Sequence, residues 1–120
     1  MGFELEARMR GLLKILFGAI FLGIIGVTIW ASRYYSVWDA YAKLWEDPWG
    51  RATLFDAYFG FLTFYVWVFY KETCWAYRAL WFVLILGFGN IGISLYMLIQ
   101  LFRWKDGEGI EQLLLRRKAA

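Results

Sequence analysis

Three long apolar runs separated by short polar connections dominate the chain. Residues 12–31 are apolar apart from Lys14 and Thr28. Twenty helical residues at ~1.5 Å rise match a hydrocarbon layer of ~30 Å, so the run predicts a first transmembrane helix. A secretory leader is the rival reading, but the run is too long and lacks a small-residue cleavage end, so it is expected to stay in the mature chain. Ahead of it, Glu4 with Arg8 and Glu6 with Arg10 stand four apart, which predicts a short helical lead-in. Met1-Gly2 opens an N-myristoylation pattern that fails at Glu6.

The connection from Ser32 to Gly50 has its own periodicity. Tyr34, Val37, Trp38, Tyr41, Leu44 and Trp45 share one helical face, with Asp39 and Lys43 on the other, and Ser36 with Asp39 resembles a capping box. This predicts an amphipathic helix over 36–46 in the headgroup layer, with Trp38, Trp45 and the following Trp49 as interface anchors. Asp47-Pro48 reads as an N-cap and first helical residue, opening a second transmembrane helix over 49–70. Lys71, Glu72, Thr73 and Cys74 form a short polar turn followed by Trp75, with Lys71, Glu72 and Trp75 as further interface anchors, so a third helix over 79–102 should lie antiparallel to the second. Beyond it, Gly107 and Gly109 precede Ile110, Leu113, Leu114 and the basic Arg116, Arg117 and Lys118. That pattern predicts a basic amphipathic tail over 107–120, either membrane-bound or a solvated terminus. The expectation is one all-α membrane domain over 1–120: three transmembrane helices, with an interfacial helix between the first two.

Composition agrees. The chain is 62% hydrophobic with a mean hydropathy of +0.49, where soluble domains run near 45–50% apolar. Cys74 is the one cysteine, and no histidine is present to bind a metal or haem. The net charge of +3 is spread over the connections without a basic stripe, so no nucleic-acid partner is expected. Three spans would put Arg8, Arg10, Lys14, Lys71 and Arg78 on one side, and Arg33, Lys43, Arg51, Arg103, Lys105, Arg116, Arg117 and Lys118 on the other. Counting then favours a cytoplasmic C-terminus, while the first helix alone favours a cytoplasmic N-terminus.

Asp56 is the most informative position, because a carboxylate in hydrocarbon costs about 2.5–3.5 kcal/mol and must face protein or water. Ala52, Asp56, Gly60, Thr63 and Trp67 form one stripe of the second helix, where the other helices are expected to pack. The third helix carries Gly87, Gly89, Asn90, Gly92 and Ser94; Asn90 near its middle could donate to Asp56 if their depths matched, though spacing from the helix ends argues against it. Ala19, Gly23 and Gly26 give the first helix a row of small residues. Asp56 reads either as a buried hydrogen-bond hub or as a proton- or cation-handling group. The many Trp, Tyr and Phe residues read as interface belts, or on the second helix as a lipid- or pigment-facing surface. Cys74 sits where palmitoylation occurs, or is simply unmodified. No metal spacing, phosphate loop or nucleophile with its base is visible, so no catalytic residue and no cofactor beyond bound lipid is expected.

The second and third helices also carry a resemblance. Trp49, Ala52-Thr53-Leu54, Asp56, Tyr58, Val66-Trp67-Val68, Tyr70-Lys71-Glu72 and Trp75, then Gly87, Asn90, Tyr96 and Ile99-Gln100-Leu101-Phe102, resemble an uncharacterised family of small multi-spanning membrane proteins of plants and bacteria, domain of unknown function 1475. The likeness covers roughly residues 10–102, and the first helix shares only its hydropathy. It implies a helical membrane fold and names no activity; Asp56, Trp67, Lys71 and Glu72 match its pattern. The sequence thus points to a non-enzymatic integral membrane protein of a bacterial inner or organellar membrane. It is read as an accessory or structural subunit of a larger membrane complex, energy-converting assemblies being one such class, or as a homo-oligomer, with an Asp56-based ion or proton transporter or channel as the alternative.

Overall fold

The computed structural model describes residues 2–116, and the regular structure among them is entirely helical. The lead-in and first apolar run merge into one rod, α1 (Gly2–Ser32). Helix α2 (Val37–Glu46) begins where Ser36 adopts extended backbone and its Oγ accepts the Asp39 N–H at 3.2 Å. Asp47 performs the same task for α3 (Pro48–Lys71), accepting the Gly50 N–H at 3.0 Å, while Pro48 occupies the first turn, where its missing N–H leaves no bond unmade. Gly50 is pressed onto the Leu44 carbonyl too closely for any Cβ. The Tyr41 and Tyr58 hydroxyls meet at 3.0 Å and tie α2 to α3.

The third predicted helix, 79–102, does not form as one rod. It divides into α4 (Trp75–Phe88) and α5 (Asn90–Arg103), 14 residues each, which at ~1.5 Å per residue fall short of a ~30 Å hydrocarbon layer. The break is Gly89, at φ +58°, a conformation that residues with a Cβ rarely adopt. The chain then returns along itself. The Trp81 and Tyr96 rings meet edge to face at 4.9 Å, and a Cβ on Gly92 would stand 2.5 Å from the Leu84 carbonyl oxygen. Among the described residues, two helices, α1 and α3, are long and apolar enough to cross a membrane, not three.

Contacts fix the directions. Tyr65 donates to the Arg78 carbonyl and Phe61 packs on Gly89, so α4 runs antiparallel to α3 and the hairpin tip reaches the middle of α3. Arg10 pairs with Asp106 and Lys14 lies over Phe102, so α1 runs antiparallel to α5. A single turn, α6 (Glu111–Leu114), follows and buries Leu113 with Leu101 and Trp104, against Met9, Leu13 and Phe17 of α1. A second cluster, Val68, Trp81, Ile85 and Tyr96, holds the hairpin on α3.

Both ends of the described chain therefore lie at one pole, with the α3–α4 turn, while α2 marks the other. This corrects the opposite-side placement that three full spans imply, because the hairpin brings the chain back to the pole it left. The segment expected as a membrane-bound or solvated tail is docked on the protein as far as Arg116; Arg117 and Lys118 lie outside the described residues. Arg10 pairs with Asp106 rather than with Glu6, whose Oε2 is buried with no hydrogen-bond partner among the described residues.

Candidate functional site

Asp56 does not face its own helices. It is exposed on α3, as are Ala52, Gly60 and Thr63, and a Cβ on Gly60 would meet nothing within 4 Å. This corrects the expectation that the stripe forms the intramolecular interface: α1 packs chiefly on α5, leaving that face of α3 bare. Thr63 Oγ1 donates back to the Phe59 carbonyl at 2.8 Å. Asn90 is exposed at the hairpin tip, and among the described residues no hydrogen bond joins it to Asp56. Ser94 is fully buried and donates to the Asn90 carbonyl at 2.6 Å. Of the predicted anchors, Trp38, Trp45, Trp49 and Trp75 are exposed.

Trp67, Lys71 and Glu72 have a different fate. At the C-terminal end of α3 the last carbonyls and side chains require partners, and the returning C-terminal segment supplies many of them. Trp67 donates its indole N–H to the Leu114 carbonyl at 2.8 Å, and Lys71 Nζ donates to the Gln112 and Leu115 carbonyls at 3.3 and 3.4 Å. Arg116 Nε reaches the Tyr70 carbonyl at 2.7 Å. Arg78, one turn into α4, donates to the Phe69 and Glu72 carbonyls and stacks on the Phe69 and Trp75 rings. Glu72 accepts the Tyr96 hydroxyl at 3.1 Å.

Tyr96, Gln100 and Arg103 join this group although sequence reasoning did not single them out as site residues. Their spacing of four and then three puts them on one face of α5, so polar side chains recurring at helical period in an apolar run were the available signal. Lys71 and Gln100 are buried in the fold, while Thr73, Cys74, Tyr77 and Arg103 are exposed beside them.

With this geometry in place, comparison with known proteins adds one result: a family model matches residues 4–119. The chain belongs to DUF1475, a protein family of unknown function. The match includes the tail, which sequence alone placed outside the resemblance. No curated protein and no solved structure matches the chain.

In this DUF1475 member the structure separates Asp56, Gly60 and Thr63 from Trp67, Lys71 and Glu72, although all six lie on α3 or at its end. Asp56, Gly60 and Thr63 form an uncovered stripe; Trp67, Lys71, Glu72, Tyr96, Gln100 and Arg103 form a polar constellation at the pole of the termini. Among the described residues no three His, Cys, Asp or Glu side chains gather as metal ligands. Cations and hydrogen-bond donors outnumber acceptors in the second group, an arrangement suited to an anion.

Proposed function

We propose that this DUF1475 chain is a non-enzymatic integral membrane protein that assembles through α3, with copies of itself or as an accessory subunit of a larger membrane complex. The supporting observation is Asp56, exposed on a long apolar helix beside Ala52, Gly60 and Thr63. In hydrocarbon such a carboxylate is costly, and small residues along the same face let a neighbouring helix approach closely.

Residence in a bilayer is supported by how little of α1 and α3 the chain itself covers: 0% and 6% of their apolar windows are buried, where the core helix of a soluble domain would be enclosed. The reading of α1 as a cleaved leader is disfavoured by its packing, since Arg10, Leu13 and Phe17 cover the end of α5. In the reading adopted here α1 and α3 cross, α4 and α5 form a re-entrant hairpin, and α2 lies at the far surface with its tryptophans among headgroups. Arg8, Arg10, Lys14, Lys71, Arg78, Arg103, Lys105 and Arg116 then share one pole against Arg33, Lys43 and Arg51 at the other. That bias supports a cytoplasmic position, or its organellar equivalent, for the pole that holds both ends of the described chain.

One observation favours the transport alternative. Broken helices that end inside a membrane are a feature of ion and substrate sites, and Gly89 breaks the third segment with Asn90 at the tip.

Two substitutions separate the readings. In a Cys74→Ser background, cross-linking through Gly60→Cys should trap α3 against a neighbour, and Asp56→Leu should abolish it. Resistance to alkaline carbonate extraction checks the membrane assignment, and release into the aqueous fraction would sink it. If Asp56→Asn leaves cross-linking intact but ends a proton or cation flux measured in liposomes, the transport reading wins.

A further inference from the structure

At the pole of the termini a cavity of about 240 Å³ opens between the α3–α4 turn and the last turns of α5. Lys71, Glu72, Thr73, Tyr77, Gln100 and Arg103 line it. Its chemistry differs from that of the larger groove at the other pole, walled by Trp30, Tyr34, Tyr35, Val27 and Val37. Here two cations, a hydroxyl, a phenol and an amide converge, and among the described residues Glu72 is the one carboxylate. That carboxylate already accepts the Tyr96 hydroxyl on the inner side, which holds it against the hairpin.

We infer that this cavity seats the phosphate of an anionic phospholipid, an assignment that rests on the membrane reading above. Lys71 and Arg103 supply the charge, and Thr73, Tyr77 and Gln100 supply hydrogen bonds to the ester oxygens. Three observations converge on that ligand. The lining carries a net positive charge, Lys71 and Arg103 against Glu72. Lys71 is only 6% exposed and donates to the Gln112 and Leu115 carbonyls, and an anion beside it adds a charge-assisted contact to an ammonium shielded from water. The depth fits as well. The cavity lies where α3 and α5 both end, at the level of the headgroup phosphates if α3 spans, and basic pockets between helices on the cytoplasmic side suit acidic headgroups. Exposed Phe102 and Trp75 nearby provide apolar surface for the acyl chains. A free phosphate ion offers the same oxygens but would gain nothing from that apolar surface.

The test uses full-length protein in mild detergent, with lipid binding counted by native mass spectrometry. Phosphatidylglycerol should fill one saturable site, with phosphatidylcholine binding at least tenfold more weakly and inorganic phosphate failing to displace the lipid. Arg103→Gln should weaken the site by roughly five- to tenfold and Arg103→Lys should largely restore it, while Lys43→Gln at the other pole should leave it unchanged. Thr73→Leu fills the cavity mouth from an exposed turn without removing charge, so it should also abolish binding if Arg103→Gln fails to fold. Equal binding of the two lipids, displacement by inorganic phosphate, or full affinity in Thr73→Leu overturns the assignment. Carbonate extraction of the same preparations keeps the outcomes apart: protein that stays in the membrane yet binds no lipid selectively refutes the site alone, and protein recovered in the aqueous phase refutes the membrane reading.

Discussion

The hydroxyl of Tyr96 donates to Oε2 of Glu72 at 3.1 Å, joining the middle of α5 to the residue that ends α3. The phenol is fully buried, with the rings of Phe64, Trp67 and Trp81 set edge to face around it. One side chain thus fastens the hairpin to α3 through both an apolar and a polar contact. Tyr96→Phe keeps the ring and loses the bond to a charged acceptor, and should destabilise by about 1–2 kcal/mol. Tyr96→Ala should cost about 3–5 kcal/mol by leaving a cavity among the three rings. Thermal unfolding in mild detergent reads the difference; equal losses would mean that the hydroxyl, not the ring packing, carries the contact.

The hairpin depends on glycine at one place and not at another. Gly92 faces Leu84 backbone, which cannot yield as a flexible side chain can, whereas a Cβ on Gly87 would meet nothing within 4 Å. Gly92→Ala should therefore separate α4 from α5 and lower stability by about 1–3 kcal/mol. Gly87→Ala should be neutral, or stabilise by up to about 1 kcal/mol through reduced freedom of the unfolded chain. Paired melting curves decide it.

Arg10 and Asp106 form an ion pair at 2.6 Å whose partners differ in surroundings: the Arg10 side chain is 8% exposed and that of Asp106 is 95%. The guanidinium also donates to the Lys105 carbonyl and lies 4.6 Å over the Trp104 ring. Removing the exposed partner should cost little, about 1 kcal/mol or less for Asp106→Ala, because water screens the lost charge. Arg10→Ala removes three contacts and should cost clearly more, freeing the first turns of α1 from α5. Proteolysis of the N-terminal turns should rise for Arg10→Ala and scarcely change for Asp106→Ala.

The Tyr41–Tyr58 contact carries a pH signature. Its hydrogen bond to Tyr58, with partial burial, pushes the Tyr41 hydroxyl up from 10.0 to about 12. A raised folded-state value means that the folded protein holds this proton longer than the unfolded chain does. The stabilisation is therefore complete below about pH 10 and is lost as pH rises through about 12. In a tyrosinate absorbance titration, the difference between wild type and Tyr41→Phe should emerge only above pH 10. A difference centred at the ordinary tyrosine value would show that α2 is not docked on α3 as described.

Legibility from sequence tracked how local the cause was. The starts of α2 and α3 are set by Ser36 and by Asp47-Pro48, whose capping chemistry needs only the next three residues, so both can be read without knowing the fold. Gly89 is different. Hydropathy continues through it without interruption, and glycines at 87, 89 and 92 fit close packing of a straight helix as well as a reversal. What decides between them is the pairing of Trp81 with Tyr96, a contact across the turn that no local pattern announces. The pole assignment followed that one misread residue. Asp56 was recognised as a position needing an explanation, but which neighbour covers α3 is a tertiary fact: α1 packs on α5 instead. Trp67, Lys71 and Glu72 were visible as side chains, while the partners that give them meaning, Gln112, Leu114 and Leu115, come from the far end of the chain.

The left-handed step at Gly89 also sets a parity. Two full lengthwise passes plus a return trip bring the described chain back to its starting pole, so under the membrane function proposed above a tag fused at either terminus should report on the same compartment. A two-fold partner docked through α3, with its axis along the helices, would gather the ends of both described chains and both basic cavities on a single surface, and would leave the opposite surface to the tryptophan-bearing connectors.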